Sequence, residues 1–230
     1  MTYIVAGKLS SCTCLMADCI VNRTGDTPIF TDKIRKLTSS DDTFFSVTGN
    51  CLIPESVEIL DMWLFSLGRP NDFISGNNSI TDLVKLISWR FDKYHRTDGA
   101  KLDNNRIFFI NRDSVIYYNL FYNENNLLTS NLAKTVLQNK KQITNMSPHP
   151  ISFDLISTSN PLRYCKSVID DLAKSENKDL KDRFSYIQLN SDSDDIIISP
   201  FKKISDIVAA YEGADYNLLD DISLSWDEIK

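Results

Sequence analysis

At 230 residues and 42% hydrophobic content the chain can bury one substantial core, so a single domain over residues 1–230 is the simplest organisation. Acidic residues outnumber basic ones, 31 to 25, for a net charge of −6, and no basic run interleaves aromatics; nucleic acid is set aside as the main partner. No apolar run reaches about 18 residues, residues 1–9 lack the basic-then-apolar layout of a secretion signal, and the seven glycines form neither a dinucleotide nor a P-loop fingerprint, so a cytoplasmic chain with no membrane partner and no cofactor is expected.

The first fifty residues carry the chemistry. If the initiator Met1 is removed, Thr2 becomes a free α-amine beside a hydroxyl. Such a residue can attack a carbonyl through Oγ while its own amine, with a reference pKa of roughly 7.7–8.0, takes the proton. The apolar run Tyr3-Ile4-Val5-Ala6, a polar break at residues 8–11 and a second run from Cys12 to Val21 interrupted by Asp18 predict a hairpin with a carboxylate on its second strand. Gly25 and Pro28 mark a turn. The segment Thr31-Asp32-Lys33-Ile34-Arg35-Lys36-Leu37 follows, then the β-rich run Thr43-Phe44-Phe45-Ser46-Val47-Thr48 ending on Gly49.

These pieces resemble a proteasome-type β-subunit, in the group that holds proteasome β, HslV and the bacterial Anbu proteins. The matching residues are Thr2, Ala17-Asp18, Asp32-Lys33-Ile34 with Lys36-Leu37, and Val47-Thr48-Gly49-Asn50 before a helix; the Met1-Thr2-Tyr3 opening and the Thr48-Gly49-Asn50 turn look most like Anbu. The resemblance implies Thr2 as nucleophile, Lys33 as the cation that lowers its proton affinity, Asp18 as the carboxylate that holds Lys33, and the Gly49 N–H as an oxyanion donor. Asp18 and Lys33 stand one residue closer than the family spacing, and Lys33 and Gly49 stand further apart.

After Gly49, Pro54-Glu55 opens a helix with Val57, Leu60, Leu64 and Leu67 at helical spacing and Trp63 beside them, stopped at Gly68-Arg69-Pro70. A loop over residues 70–78 precedes a second helix, framed by Ser79 and Asp82, whose apolar face is Ile80, Leu83, Val84, Ile87, Phe91 and Tyr94. A second hairpin spans residues 106–110 and 114–120. Residues 123–150 read as an insertion or extended edge with a short helix near residues 132–137. A strand over residues 151–156 leads to Asn160-Pro161, a cap and first turn for a helix with Leu162, Cys165, Val168, Ile169 and Leu172 on one face. The family's Gly-Ser-Gly turn here lacks its glycines, with Ser157 or Ser159 as the available hydroxyl. Asp182 and Ser185 resemble the family's Asp-x-x-Ser pair beside the nucleophile, and Ser185 falls on a strand over residues 184–189. A strand at residues 196–198, a helix near residues 204–211 and an acidic tail from about residue 212 end the chain.

Five cysteines, Cys12, Cys14, Cys19, Cys51 and Cys165, read as buried reduced thiols; Cys12-Thr13-Cys14 with Cys19 lacks the ligands to complete a zinc site. His95 and His149 read as surface residues. The expectation is therefore an α+β, four-layer αββα sandwich of the N-terminal nucleophile hydrolase type. Peptide or amide bonds of a peptide or protein would be cleaved by Thr2. The resemblance implies a homo-oligomeric ring or stack and makes an ATPase unfoldase a further candidate partner. A catalytically silent subunit that keeps Met1, and a small-molecule amidase, are the competing readings.

Overall fold

The computed structural model describes residues 2–21, 29–50, 52–69, 72–75, 78–94, 105–120, 133–136, 142–146, 161–175 and 184–198. The turn at Gly25 and Pro28, both histidines, Cys51, Ser157, Ser159, Asn160, Asp182, residues 151–156 and the segment from residue 199 onward lie outside them.

Two antiparallel five-stranded sheets organise an α+β fold. The first runs β10(Gln142–Met146)-β1(Ile4–Lys8)-β2(Cys12–Asp18)-β11(Phe184–Asn190)-β12(Ile196–Ile198). The second runs β5(Arg35–Lys36)-β6(Phe44–Thr48)-β7(Asn105–Ile110)-β8(Val115–Leu120)-β9(Ala133–Val136). A short pair, β3(Ile20–Val21) and β4(Ile29–Phe30), stands beside them.

Near-continuous apolar strands are what a sheet covered on both faces requires, because alternate residues point to opposite sides. In β1 and β2, Ile4, Ala6, Leu15 and Ala17 join Phe108, Ile110 and Val115 of the second sheet in one core. Their alternates Tyr3, Val5, Cys14 and Met16 join Cys165 and Val168 of α3(Pro161–Ser175) in another. The second sheet turns Phe45, Ile107, Phe109 and Tyr118 toward α1(Leu52–Ser66) and α2(Asn78–Tyr94), which supply Val57, Leu60, Leu64, Leu83, Val84 and Ile87.

Helix α1 begins before Pro54. Asn50 Oδ1 accepts the Leu52 N–H at 2.9 Å, an N-cap, and the Asn50 carbonyl, which Pro54 has no N–H to engage, takes the Ile53 N–H at 3.1 Å instead. Its buried face holds Val57, Leu60 and Leu64, whereas Leu67, expected on that face, is 52% exposed past the helix end, and Trp63 is 52% exposed. Helix α2 is anchored by a reciprocal pair, Ser79 N–H to Asp72 Oδ1 at 2.9 Å and Asp72 N–H to Ser79 Oγ at 3.2 Å. The expected short helix near residues 132–137 is instead β9, with Ile116 opposite Val136 and Asn119 opposite Ala133. A stretch this short cannot sustain a helix alone, and pairing to the exposed edge of β8 satisfies its backbone. Strand β10 in turn covers the edge of β1, with Ile4 opposite Met146.

Candidate active site

The β1–β2 register sets the first part of the site. Ile4 lies opposite Ala17, which brings the start of β1 alongside Asp18 at the end of β2. Asp18 is 1% exposed and clamps the chain twice: its Oδ1 accepts the Tyr3 N–H at 2.7 Å, and its own N–H donates to the Tyr3 carbonyl at 3.0 Å. Its Oδ2 accepts from Lys33 Nζ at 2.9 Å. The same Nζ reaches Thr2 Oγ1 at 3.3 Å. One ammonium thus bridges a buried carboxylate and the Thr2 hydroxyl, at the place where β1 starts.

The backbone carrying Lys33 is anchored on both sides. Thr31 N–H donates to the Cys19 carbonyl at 2.8 Å, and Ile34 N–H donates to Asp32 Oδ1 at 3.1 Å. Ser185 of β11, which pairs with Ala17 in the ladder, donates its hydroxyl to the same Asp32 Oδ1 at 2.6 Å. Cys19 Sγ lies 3.4 Å from Ser185 Oγ. Burial pushes the Cys19 thiol up to about 12; the Ser185 hydrogen bond lowers it somewhat, while the Asp32 and Asp18 charges add to the rise. It is therefore a neutral hydrogen-bonding group at physiological pH and no nucleophile.

Gly49 lies at the end of β6 with φ +102°, a conformation that an L side chain rarely adopts. A Cβ there would fall 1.5 Å from Asn105 Oδ1. That oxygen accepts the Asn50 N–H at 3.0 Å, so Asn105 of β7, 2% exposed, holds the turn from the neighbouring strand. Of the residues singled out from the sequence, Thr2, Asp18 and Lys33 meet through direct hydrogen bonds. Ser185 joins them through Asp32 and Cys19, Gly49 forms a turn built separately on the second sheet, and Asp182 lies outside the described residues. Asp32 and Asn105 had no role assigned from sequence. Asp32 stood with Lys33 among the residues that carry the family resemblance, and Asn105 offered no signal.

Cys12, Cys14, Cys19 and Cys165 are buried free thiols, and no group of three or more candidate metal ligands occurs among the described residues. No described helix is long and apolar enough to cross a membrane.

No family model and no curated protein matches the sequence. Among solved structures, the chain is similar to Anbu (ancestral beta-subunit) from Yersinia bercovieri, with a TM-score of 0.58 and 13% identity over 98% of this chain and 93% of that one. It is also similar to an Anbu (Gly-1) mutant from Hyphomicrobium sp. strain MC1, with a TM-score of 0.56 and 12% identity over 99% and 94% of the two chains. The fold is that of the proteasome-type β-subunits. BPH from Thiobacillus denitrificans shares this proteasome-type fold at a TM-score of 0.50 and 10% identity, over 84% of this chain and all of that one. At such identities the likeness is one of architecture, and what the chain does must be argued from its own residues.

Proposed function

We propose that this chain, once Met1 is removed, is an N-terminal threonine hydrolase that cleaves peptide or amide bonds. The observation that carries the reading is the placement of Lys33 Nζ between Asp18 Oδ2 and Thr2 Oγ1, at 2.9 and 3.3 Å. An ammonium 3.3 Å from a hydroxyl stabilises the alkoxide character that develops on attack, and the buried Asp18 fixes that ammonium in place.

In the proposed cycle Thr2 Oγ bonds to the substrate carbonyl carbon and passes its proton to the free Thr2 amine. The carbonyl oxygen becomes an oxyanion, for which the Gly49 N–H is the proposed donor. Collapse breaks the C–N bond, the amine returns its proton to the departing nitrogen, and an ester remains on Oγ. Water, deprotonated by the same amine, then cleaves the ester and releases the acid. Ser185 and Asp182 belong to the support of that amine. The packing of α1 and α2 on one sheet, α3 on the other and a shared core between the sheets supports a four-layer αββα arrangement for this chemistry.

Self-assembly is part of the proposal. Helix α1 exposes Ile59, Met62, Trp63 and Phe65, and Leu67 is exposed just past its end, an apolar surface of the kind that marks an interface. A second copy of the chain is the occupant proposed for this face.

The test is intact mass before and after exposure to a β-lactone probe, whose ring C–O bond opens as Thr2 Oγ is acylated. A mass lacking Met1 that gains one adduct, absent in Thr2→Ala, is expected. A mass that retains Met1 and gains none would overturn the hydrolase reading.

A further inference from the structure

The strongest feature that this mechanism leaves unused is the contact between Asp32 and Ser185, two residues 153 positions apart in sequence. Asp32 Oδ1 takes two hydrogen bonds: Ile34 N–H at 3.1 Å and Ser185 Oγ–H at 2.6 Å. The first closes a turn around the Lys33 backbone, since the residues on either side of Lys33 are joined to each other. The second ties that turn to β11, which is itself in register with β2 through Ser185 opposite Ala17 and Phe184 opposite Asp18. With Thr31 N–H on the Cys19 carbonyl at 2.8 Å, the segment carrying Lys33 is fastened both to the residue that follows Asp18 at the end of β2 and, through Ser185, to β11.

The hydrogen bond also fixes the polarity of Ser185. A serine hydroxyl has one proton, and here it goes to a carboxylate that has none to give in return. Cys19, 3.4 Å from the same oxygen, must then be the donor of that pair, and burial keeps it a thiol able to donate. A directed chain results, from the Cys19 S–H to Ser185 Oγ and from the Ser185 O–H to Asp32, which leaves Ser185 Oγ offering only lone pairs to any further group near it.

We propose that Asp32 is a positioning residue of the Thr2 centre: through its bonds to Ile34 and Ser185 it sets the backbone from which Lys33 reaches Thr2 and turns the Ser185 hydroxyl into a pure acceptor. The proposal rests on the hydrolase reading above. Asp32 touches no reacting atom in it; it acts through Lys33 and Ser185. A simple staple between a loop and a strand would serve stability alone, and the two roles separate in kinetics.

The experiment measures covalent capture of a β-lactone probe by the mature protein, as an apparent binding constant and a limiting rate of acylation, for the wild type, Asp32→Ala, Asp32→Asn, Ser185→Ala and the Asp32→Ala/Ser185→Ala double variant. Thermal unfolding of each runs alongside. Asp32→Ala is expected to lower the limiting rate about 10- to 100-fold with the binding constant little changed, since small displacements of a positioned group carry effects of that order. Asparagine keeps an oxygen that accepts both hydrogen bonds, so Asp32→Asn should restore most of the rate. The double variant should be no slower than the slower single one, because the two residues act as one unit. A wild type that is acylated while Asp32→Ala matches its limiting rate, or a double variant whose losses multiply, overturns the role of Asp32 and leaves the hydrolase reading standing. A mature wild type that gains no adduct overturns both together.

Discussion

Two buried aspartates, each 1% exposed, show how differently the two halves of this molecule use a hidden charge. Asp61, on α1, takes the Thr38 N–H at 2.5 Å, the Ser39 N–H at 3.3 Å and the Ser39 hydroxyl. These groups belong to one loop, and the carboxylate fastens that loop to the helix. Asp18 spends one oxygen in the same way, on the Tyr3 N–H, but the other holds an ammonium that is shared with a hydroxyl. The lesson is that burial of a charge marks a site only when its partners are themselves chemically versatile. A carboxylate whose bonds fasten a loop to a helix is scaffolding.

That contrast can be broken by matched substitutions. The largest effect is expected from Asp18→Asn, which leaves the Tyr3 contact available but removes the counter-charge of Lys33; probe acylation should fall by at least about 100-fold while the fold persists. Asp61→Asn should do the reverse, with acylation within about threefold of wild type and a loss of ~1–3 kcal/mol in chemical denaturation, the usual penalty for disrupting charge-assisted bonds to buried groups. Equal losses of activity in the two variants would erase the distinction drawn here.

Gly49→Ala extends the comparison to the turn on the second sheet. The positive φ and the 1.5 Å approach to Asn105 Oδ1 together predict a destabilisation of roughly 1–3 kcal/mol. In an Asn105→Ala background, which already lacks that oxygen, Gly49→Ala should cost less than in the wild type because only the backbone strain remains; equal costs in the two backgrounds would show that the Asn105 contact is soft. The smallest effect concerns pH. Cys19 titrates near 12 in the fold against an ordinary 9.0, so the folded chain keeps a proton that the unfolded chain releases; the resulting stability is complete below about pH 9 and is lost as pH rises toward 12. Cys12, pushed up to about 11 by burial, and Tyr118, pushed up to about 12, act in the same direction. Melting curves between pH 8 and about 11 should show Tm falling with pH, and less steeply in Cys19→Ala than in wild type.

Local pattern made much of this fold legible. Alternating and continuous apolar runs marked the β1–β2 and β7–β8 hairpins, and a 3.6-residue period placed Val57, Leu60 and Leu64 on the buried side of α1. The period says which residues share a face but not how wide the covered face is, which is why Leu67 and Trp63 came out exposed. Strand β9 was read as helix because its partner β8 supplies the pairing, a long-range contact that no local window contains. The same limit applies to the candidate site. The grouping of Thr2, Asp18 and Lys33 was implied by the family resemblance of the first fifty residues, whereas the bond from Ser185 to Asp32 and the seat of Gly49 against Asn105 exist only once distant strands are paired.

The double clamp of Asp18 on Tyr3 ties the start of the chain to the length of a loop. Leu9 N–H donates to the Cys12 carbonyl at 2.9 Å, closing a tight hairpin, and Ser11 is held in turn by the Ser191 N–H at 2.9 Å. Side chains alternate faces along a strand, so a single residue added to or removed from that hairpin would slide β1 by one position and send Thr2 to the opposite side of the sheet from the one it now takes. An insertion at residues 9–11, far from the hydroxyl, would thus act as a frame error for the whole centre, whereas replacements of side chains in the same loop leave the count intact. For this chain the number of residues between two strands is as much a part of the proposed chemistry as the identity of any residue in it.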